Sequence, residues 1–205
     1  MAPAPERQLP VAVLSSRVDA HYNQLQTLQT DFAETYSGAG ITRTESGTLW
    51  LKRPGHMRWE YHQPREKLFL TDGHTAWFYN PGERQARRAP VKKLEDLRTP
   101  LGYLLGRTKL EKEFSGLSIA PDAKAESPAN FVLRGVPRHQ VGISSVVMEV
   151  SPEGQFERLV AQMDDGSTTE FRFSGEKENL PIPDQRFQFS PPPGVETFDT
   201  EDLGQ

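Results

Sequence analysis

Cysteine is absent from the 205 residues, which excludes disulfides, thiolate metal sites, thiol nucleophiles and a lipid-modified cysteine anchor. Compartment stays open on that count, because a disulfide-free chain is tolerated anywhere. No apolar run approaches the roughly 20 residues that a membrane-spanning helix needs. The opening MAPAPERQLP has no signal-peptide pattern. Basic excess is missing too: 24 Lys and Arg face 28 Asp and Glu, a formal net charge of -4. Such a surface does not concentrate nucleic acid, so no nucleic-acid partner is expected.

What is present is punctuation and aromatic rings: 17 prolines, 16 glycines and 11 phenylalanines. Val11, Leu14, Val18, Tyr22, Leu25, Leu28 and Phe32 recur at spacings of three and four, which predicts an amphipathic helix over about residues 10–30 with Pro10 in its first turn. Beyond it most segments are short and alternating. Asp72-Gly73, Glu153-Gly154 and Asp165-Gly166 each sit between two such segments and mark hairpins. Pro54-Gly55 bends GTLWLKRPGHMRWEYHQP into another. One face of it carries Leu49, Leu51 and Arg53, then Met57, Trp59 and Tyr61; the other carries Trp50, Lys52, His56, Arg58 and Glu60, mostly a solvent-facing row. Arg53 is the exception on the apolar row and needs partners, since an uncompensated charge against an apolar interior is expensive.

A further stripe, Leu94, Leu97, Leu101, Leu104 and Leu105, is interrupted by Thr99-Pro100, Gly102 and Gly106. Two readings of it stay open: a helix plugging one end of a barrel, or a movable lid of short helices. Phe187 and Phe189 predict a last short strand before a proline-rich exit. One domain over residues 1–205 is expected, with strands over about 30–91, lid helices over about 92–113, strands over about 115–198 and a tail at 199–205.

Catalytic signals are absent from this pattern. The five histidines are scattered, and His56, Glu60 and His62 share a strand face at a spacing of about 7 Å, too wide for two neighbours to converge on one ion. The adjacent carboxylates Glu95-Asp96, Asp164-Asp165 and Glu201-Asp202 fit an exposed helix, a turn and a tail. No nucleophile elbow or phosphate-binding loop occurs. Neither an enzyme nor a cofactor nor a metal is expected. A curved sheet lined by Leu, Met and Trp and closed by a helix has instead the composition to hold an acyl chain, which asks only for dry surface.

The run GTLWLKRPGHMRWEY, then LFLTDGHTAWFYNP, TPLGYLLG and FQFSPPPGVE, in that order, resemble the outer-membrane lipoprotein carrier proteins, the LolA family. The resemblance covers most of residues 11–196. It implies an incomplete, strongly curved antiparallel β-barrel of about eleven strands, mainly β with helices (α+β), closed by a lid of short helices. It also implies a periplasmic chaperone, with the signal peptide removed and Met1 added, that binds the acyl chains of lipoproteins in a hydrophobic cavity. Such a carrier takes acylated lipoproteins from an inner-membrane ABC transporter and delivers them to an outer-membrane acceptor; a monomer is expected. Carried over residue by residue, Arg53 is the lid latch, bonding to backbone groups of the lid. Leu49, Leu51, Met57, Trp59, Tyr61, Leu101, Leu104 and Leu105 are the candidate acyl-chain residues, Met57 standing where phenylalanine is more usual. A carrier of another lipid, or an envelope-stress sensor of the same fold, is the alternative.

Overall fold

The computed structural model describes residues 9–91, 109–139 and 142–200. Helix α1 (Val11–Gln24) is the first element among the described residues. It is followed by β1 (Thr27–Gly38), β2 (Ile41–Lys52), β3 (His56–Gln63), β4 (Lys67–Asp72), β5 (Thr75–Asn80) and β6 (Gln85–Pro90). The one-turn helix α2 (Leu110–Glu113) leads into β7 (Phe114–Ile119). Next come β8 (Phe131–Pro137), β9 (Ile143–Val150), β10 (Phe156–Met163) and β11 (Thr168–Glu178), a 3-10 turn at Asp184–Phe187, and β12 (Glu196–Asp199).

All of the strands join one curled, unclosed sheet in the order β12-β6-β5-β4-β3-β2-β1-β11-β10-β9-β8-β7. The incomplete barrel is therefore present, with twelve strands rather than about eleven among the described residues. One pairing departs from the antiparallel expectation: β12 runs parallel to β6, from Glu196 opposite Gln85 to Asp199 opposite Arg88.

Local chemistry places the hairpins. Ala39 and Gly40 both have positive φ, 50° and 75°, the conformation of the two-residue turn whose twist matches flanking strands. Asp72 Oδ1 accepts the N–H groups of His74 and Thr75 at 2.9 and 2.7 Å, while Gly73 supplies the positive φ, 88°. The expected hairpins at Glu153-Gly154 and Asp165-Gly166 join β9 to β10 and β10 to β11.

The helix is shorter than its spacing predicts. It stops at Gln24, and Leu28 and Phe32 lie on β1, both buried. A step of four residues returns to the same face in a strand as well as in a helix, so the apolar spacing alone does not separate the two. Pairing decides it: β1 lies between β2 and β11 and bonds to both.

The expected strand at Phe187 and Phe189 is likewise absent. Phe187 ends the 3-10 turn and Phe189 follows in irregular chain, because Pro181, Pro183 and Pro191 lack the N–H that a ladder uses. This segment straps the outer face of the sheet. Trp50, Ile182 and Phe187 are all buried together there. The Arg186 guanidinium lies 4.6 Å from the Trp50 ring centroid, and Phe189 packs 5.3 Å from Trp77 and 5.2 Å from Tyr79. Lys52 Nζ donates to Ile182 O at 2.8 Å and to Asp184 Oδ1 at 2.6 Å. The row expected to face solvent is thus covered, with Trp50 buried and Lys52, His56, Arg58 and Glu60 partly so.

Candidate functional site

The inner face of the sheet carries the main core. Register fixes which side chains meet: Leu49 opposes Trp59 and Leu51 opposes Met57 across β2 and β3. A second rung, Leu133, Met148, Leu159 and Phe171, crosses from β8 to β11. Apolar residues at every second position of neighbouring strands necessarily share a face, and here that face curls around α1. Leu14, Val18 and Tyr22 of the helix are 0, 0 and 3 % exposed and belong to the same cluster as the sheet residues.

Several bonds hold α1 in place. Phe156 N–H donates to the Tyr22 hydroxyl at 2.8 Å, and the two rings stack 5.1 Å apart. Arg17 Nη1 donates to Pro152 O at 3.0 Å. Asp19 Oδ1 accepts Leu110 N–H at 2.9 Å, tying α2 to α1. Gly154 lies so close that a Cβ there would stand 2.6 Å from Arg17 O.

Of the predicted acyl-chain residues, Leu49, Leu51, Met57 and Trp59 are all buried on this inner face. Trp59 Nε1 donates to Met57 Sδ at 2.8 Å, and its ring packs edge-on to Phe32 at 4.7 Å and to Phe171 at 5.7 Å. Tyr61 continues the row, its ring 5.0 Å from Phe32. Its hydroxyl, however, donates to Glu34 Oε2 at 2.8 Å. Lys67 lies 4.4 Å from the Tyr61 ring centroid and bonds Glu45 at 2.5 Å. The apolar face therefore ends in a polar border of Glu34, Tyr61, Lys67 and Glu45. Burial pushes Glu34 above the usual carboxylate value, although the Tyr61 bond and Lys67 pull the other way. Burial and the neighbouring Glu34 raise the Tyr61 hydroxyl well above its ordinary value, so it remains a donor.

Arg53 sits at the mouth between β2 and β3, partly buried, its N–H donating to Gln26 O at 2.9 Å. With Tyr22, Leu25, Gln26, Thr27, Leu28 and Leu51 it lines a hollow of about 200 Å³, part of it open to solvent. A second hollow of about 230 Å³ is lined by Tyr22, Leu28, Thr30, Leu49, Phe156, Phe173 and Glu176. Tyr22 and Leu28 belong to both. Each leaves room for only about 10 Å³, on the scale of a single water, far below the roughly 300 to 1,000 Å³ of a typical small-molecule pocket. Leu101, Leu104 and Leu105, and the whole expected lid from Thr99 to Gly106, lie outside the described residues.

Reasoning from sequence left out half of this face. Phe156, Leu159, Phe171 and Phe173, with Met148 and Val146, extend it beyond β1. Their alternation in SSVVMEVS, QFERLVAQM and STTEFRF was the available signal.

A sheet that curls without closing, apolar on its inner face and covered there by a helix, defines an unclosed-barrel protein whose inner face packs against that helix. The comparisons narrow this class. Residues 23–190 match the family described as outer membrane lipoprotein carrier protein LolA, and the chain belongs to that family. An outer-membrane lipoprotein carrier protein of Nitrosospira multiformis is 31% identical over 177 residues, which cover 84% of this chain and 82% of the relative. The protein of that name in Nitrosomonas europaea is 28% identical over 198 residues, 93% of this chain and 92% of its own. A solved structure of an uncharacterized conserved protein from Thermus thermophilus superposes with a TM-score of 0.56 at 10% identity, covering 92% of this chain and 98% of that one, a likeness of fold.

Proposed function

We propose that this chain is a periplasmic lipoprotein carrier: a single-domain monomer that receives acylated lipoproteins from an inner-membrane ABC transporter, shelters their acyl chains against the inner face of the sheet, and delivers them to an outer-membrane acceptor. The observation that carries the reading is the continuous apolar inner face, Leu49, Leu51, Met57 and Trp59 on one side and Met148, Leu159 and Phe171 on the other, covered by the few residues Leu14, Val18 and Tyr22 of α1. Membership of the family, with relatives named as outer-membrane lipoprotein carriers, supports the same cargo class.

Magnitudes make the exchange workable. Uncovering Leu14, Val18 and Tyr22 costs about 1.5 to 3 kcal/mol each, so about 5 to 9 kcal/mol together. An acyl chain of about 15 methylenes gains about 12 kcal/mol on leaving water, at about 0.8 kcal/mol per group. One chain therefore offsets the uncovering of these three side chains, and the bonds that hold α1 favour the return of the closed state when the cargo leaves. Arg53, at the mouth of the hollow under the end of α1, is the latch in this reading: a charge-assisted bond from its guanidinium in the closed state is worth about 1.5 to 3 kcal/mol. That bias aids release without preventing loading.

The test is to incubate the purified protein with membranes of its source organism and ATP, and to analyse the solubilised material by native mass spectrometry. One acylated lipoprotein per chain is the expected result. Free lipid alone in the complex would transfer the reading to a carrier of another lipid, and an empty protein would reject the carrier function.

A further inference from the structure

Besides the border at Tyr61, the inner face turns polar at a second corner, beside α1. The register of β1 against β11 shifts between Gln29 and Asp31, opposite the stretch that contains Gly175, whose φ is +65°. On one side of the shift Phe173 opposes Phe32; on the other Glu178 opposes Leu28. Phe32 and Leu28 are both buried, so the irregularity substitutes Glu176 and Glu178 for phenylalanines on the inward side, two residues apart and hence on one face. Two carboxylates turned toward an apolar interior are costly unless they are paired or hydrogen-bonded. What meets them is His21, in the last turn of α1 and 8 % exposed.

His21 Nε2 lies 3.1 Å from Glu176 Oε1 and 3.5 Å from Glu178 Oε1. The three ligand atoms fall within 4.8 Å of one another. Zinc bound at about 2.0 to 2.2 Å by nitrogen and oxygen places neighbouring ligands of a tetrahedron about 3.3 to 3.5 Å apart, and the two nitrogen-to-oxygen separations bracket that edge. One ring nitrogen between two carboxylates has a single proton to share when neutral, whereas a divalent cation at the centre satisfies all three. Gln155 Nε2 donates to Glu178 Oε1 at 3.1 Å and orients it. The Tyr22 ring packs edge-on to His21 at 4.7 Å and fixes the imidazole. The Glu178 side chain is 31% exposed against 12% for Glu176, so the cluster is open to solvent on that side. An imidazole with so few oxygen donors suits zinc better than calcium or magnesium, which take oxygen ligands in larger number.

We infer that His21, Glu176 and Glu178 form a binding site for a zinc-class divalent cation, which ties α1 to β11 at the rim of the apolar inner face. Glu176 also lines the hollow shared with Tyr22, Leu28 and Phe173. An ion there clamps the helix over the inner face, and moving α1 away separates the histidine from the glutamates. Ion binding itself does not depend on the carrier reading.

The test uses the metal-free full chain without any histidine tag. Zinc chloride is titrated by calorimetry, and Co²⁺ is added separately to read geometry from its visible absorption. The expected result is one zinc per chain and the intense absorption of tetrahedral cobalt. At zinc concentrations near 100 times Kd the unfolding temperature rises by about 5 to 10 °C. His21→Asn and Glu176→Gln each weaken binding by about 10- to 100-fold or more, since loss of a ligand costs at least as much as loss of an outer partner. Glu178→Gln, on the more exposed side, weakens it with the least risk to folding, and circular dichroism verifies the fold of all three. Absence of saturable zinc binding, or binding unchanged in folded variants, would overturn the site and leave a histidine-carboxylate hydrogen-bond cluster. A lipoprotein-loading defect with intact zinc binding bears on the carrier reading and not on this one.

Discussion

The Tyr22 hydroxyl accepts the Phe156 N–H at 2.8 Å while the two rings stack at 5.1 Å with an angle of 17°. One side chain thus holds α1 to β10 by a polar bond and by ring contact together. Tyr22→Phe keeps the ring and removes the bond, and is expected to lower stability by about 1 kcal/mol in urea unfolding. Tyr22→Ala removes both, at about 3 to 5 kcal/mol. Both variants should take up a fluorescent hydrophobic dye faster than the parent, because each loosens the helix over the inner face; equal uptake rates would show that α1 is not the cover.

Arg53→Leu tests the latch. Loss of the guanidinium removes the closed-state bias of about 1.5 to 3 kcal/mol, equivalent to about 10- to 150-fold in the partition between loaded and closed states. The variant should load and then retain its lipoprotein when offered an acceptor. Pulse-chase transfer to acceptor-bearing membranes measures this, and release at the parental rate would remove Arg53 from the mechanism.

Glu149 is 1 % exposed and accepts bonds from the N–H groups of Glu126 and Ser127, from Asn130 Nδ2, and from Arg158 Nε at 3.2 Å. Burial alone would raise its pKa, but these donors outweigh burial and hold it below the ordinary value of 4.5. A carboxyl depressed in the folded state contributes stability that is complete above that ordinary value and is lost as pH falls through the lower folded one. Glu149→Ala should cost about 3 kcal/mol or more at pH 7, since the Glu126 and Ser127 N–H groups and the Asn130 amide lose an acceptor at about 1 to 3 kcal/mol each, while Arg158 keeps Glu170. Its stability should also fall less steeply than the parent's below pH 4.5. Urea titrations across about pH 3 to 7 give both quantities.

Glu34 behaves oppositely. Burial raises its pKa above the ordinary 4.5, so the ionised form is disfavoured by folding, and its unfavourable contribution grows as pH rises from that value through the folded one. Glu34→Gln retains an acceptor for Tyr61 and is expected to unfold at higher temperature than the parent at pH 7. The gain should shrink as pH falls toward and below 4.5, where the folded and the unfolded parent both come to bind the proton. A gain independent of pH would assign the effect to packing.

Gly47 sits at the register shift between β2 and β3. A Cβ there would lie 1.8 Å from Glu60 O and 2.7 Å from Glu60 C, both backbone atoms. Gly47→Ala should therefore separate the strands that carry Leu49 and Trp59, costing about 3 kcal/mol or more, with loss of the near-ultraviolet signal of the neighbouring tryptophan.

Much of the frame is legible in the sequence because its causes are local. The turn chemistry of Asp72-Gly73, Glu153-Gly154 and Asp165-Gly166 acts within four residues, and the hairpins stand where those pairs fall. Alternation along Leu49, Leu51, Met57 and Trp59 identifies the inner face without coordinates. Leu28 and Phe32 read as helical because a four-residue step fits both periods, and only pairing of β1 on both edges separates them.

The remainder depends on chain segments far apart in sequence. Trp50 reads as exposed from its own strand, yet Ile182 and Phe187 cover it. The polar border at Tyr61 comes from Glu34, 27 residues earlier. Nothing near His21 indicates that Glu176, 155 residues away, will reach its imidazole. The amino-acid order by itself determined the hairpins, their turns and the alternation of the apolar inner face, since turn geometry and alternation are short-range. The tertiary structure decided what fills that face, what covers its reverse and which charges meet at its rim, because those contacts arise only when the sheet curls and brings α1 against β10 and β11.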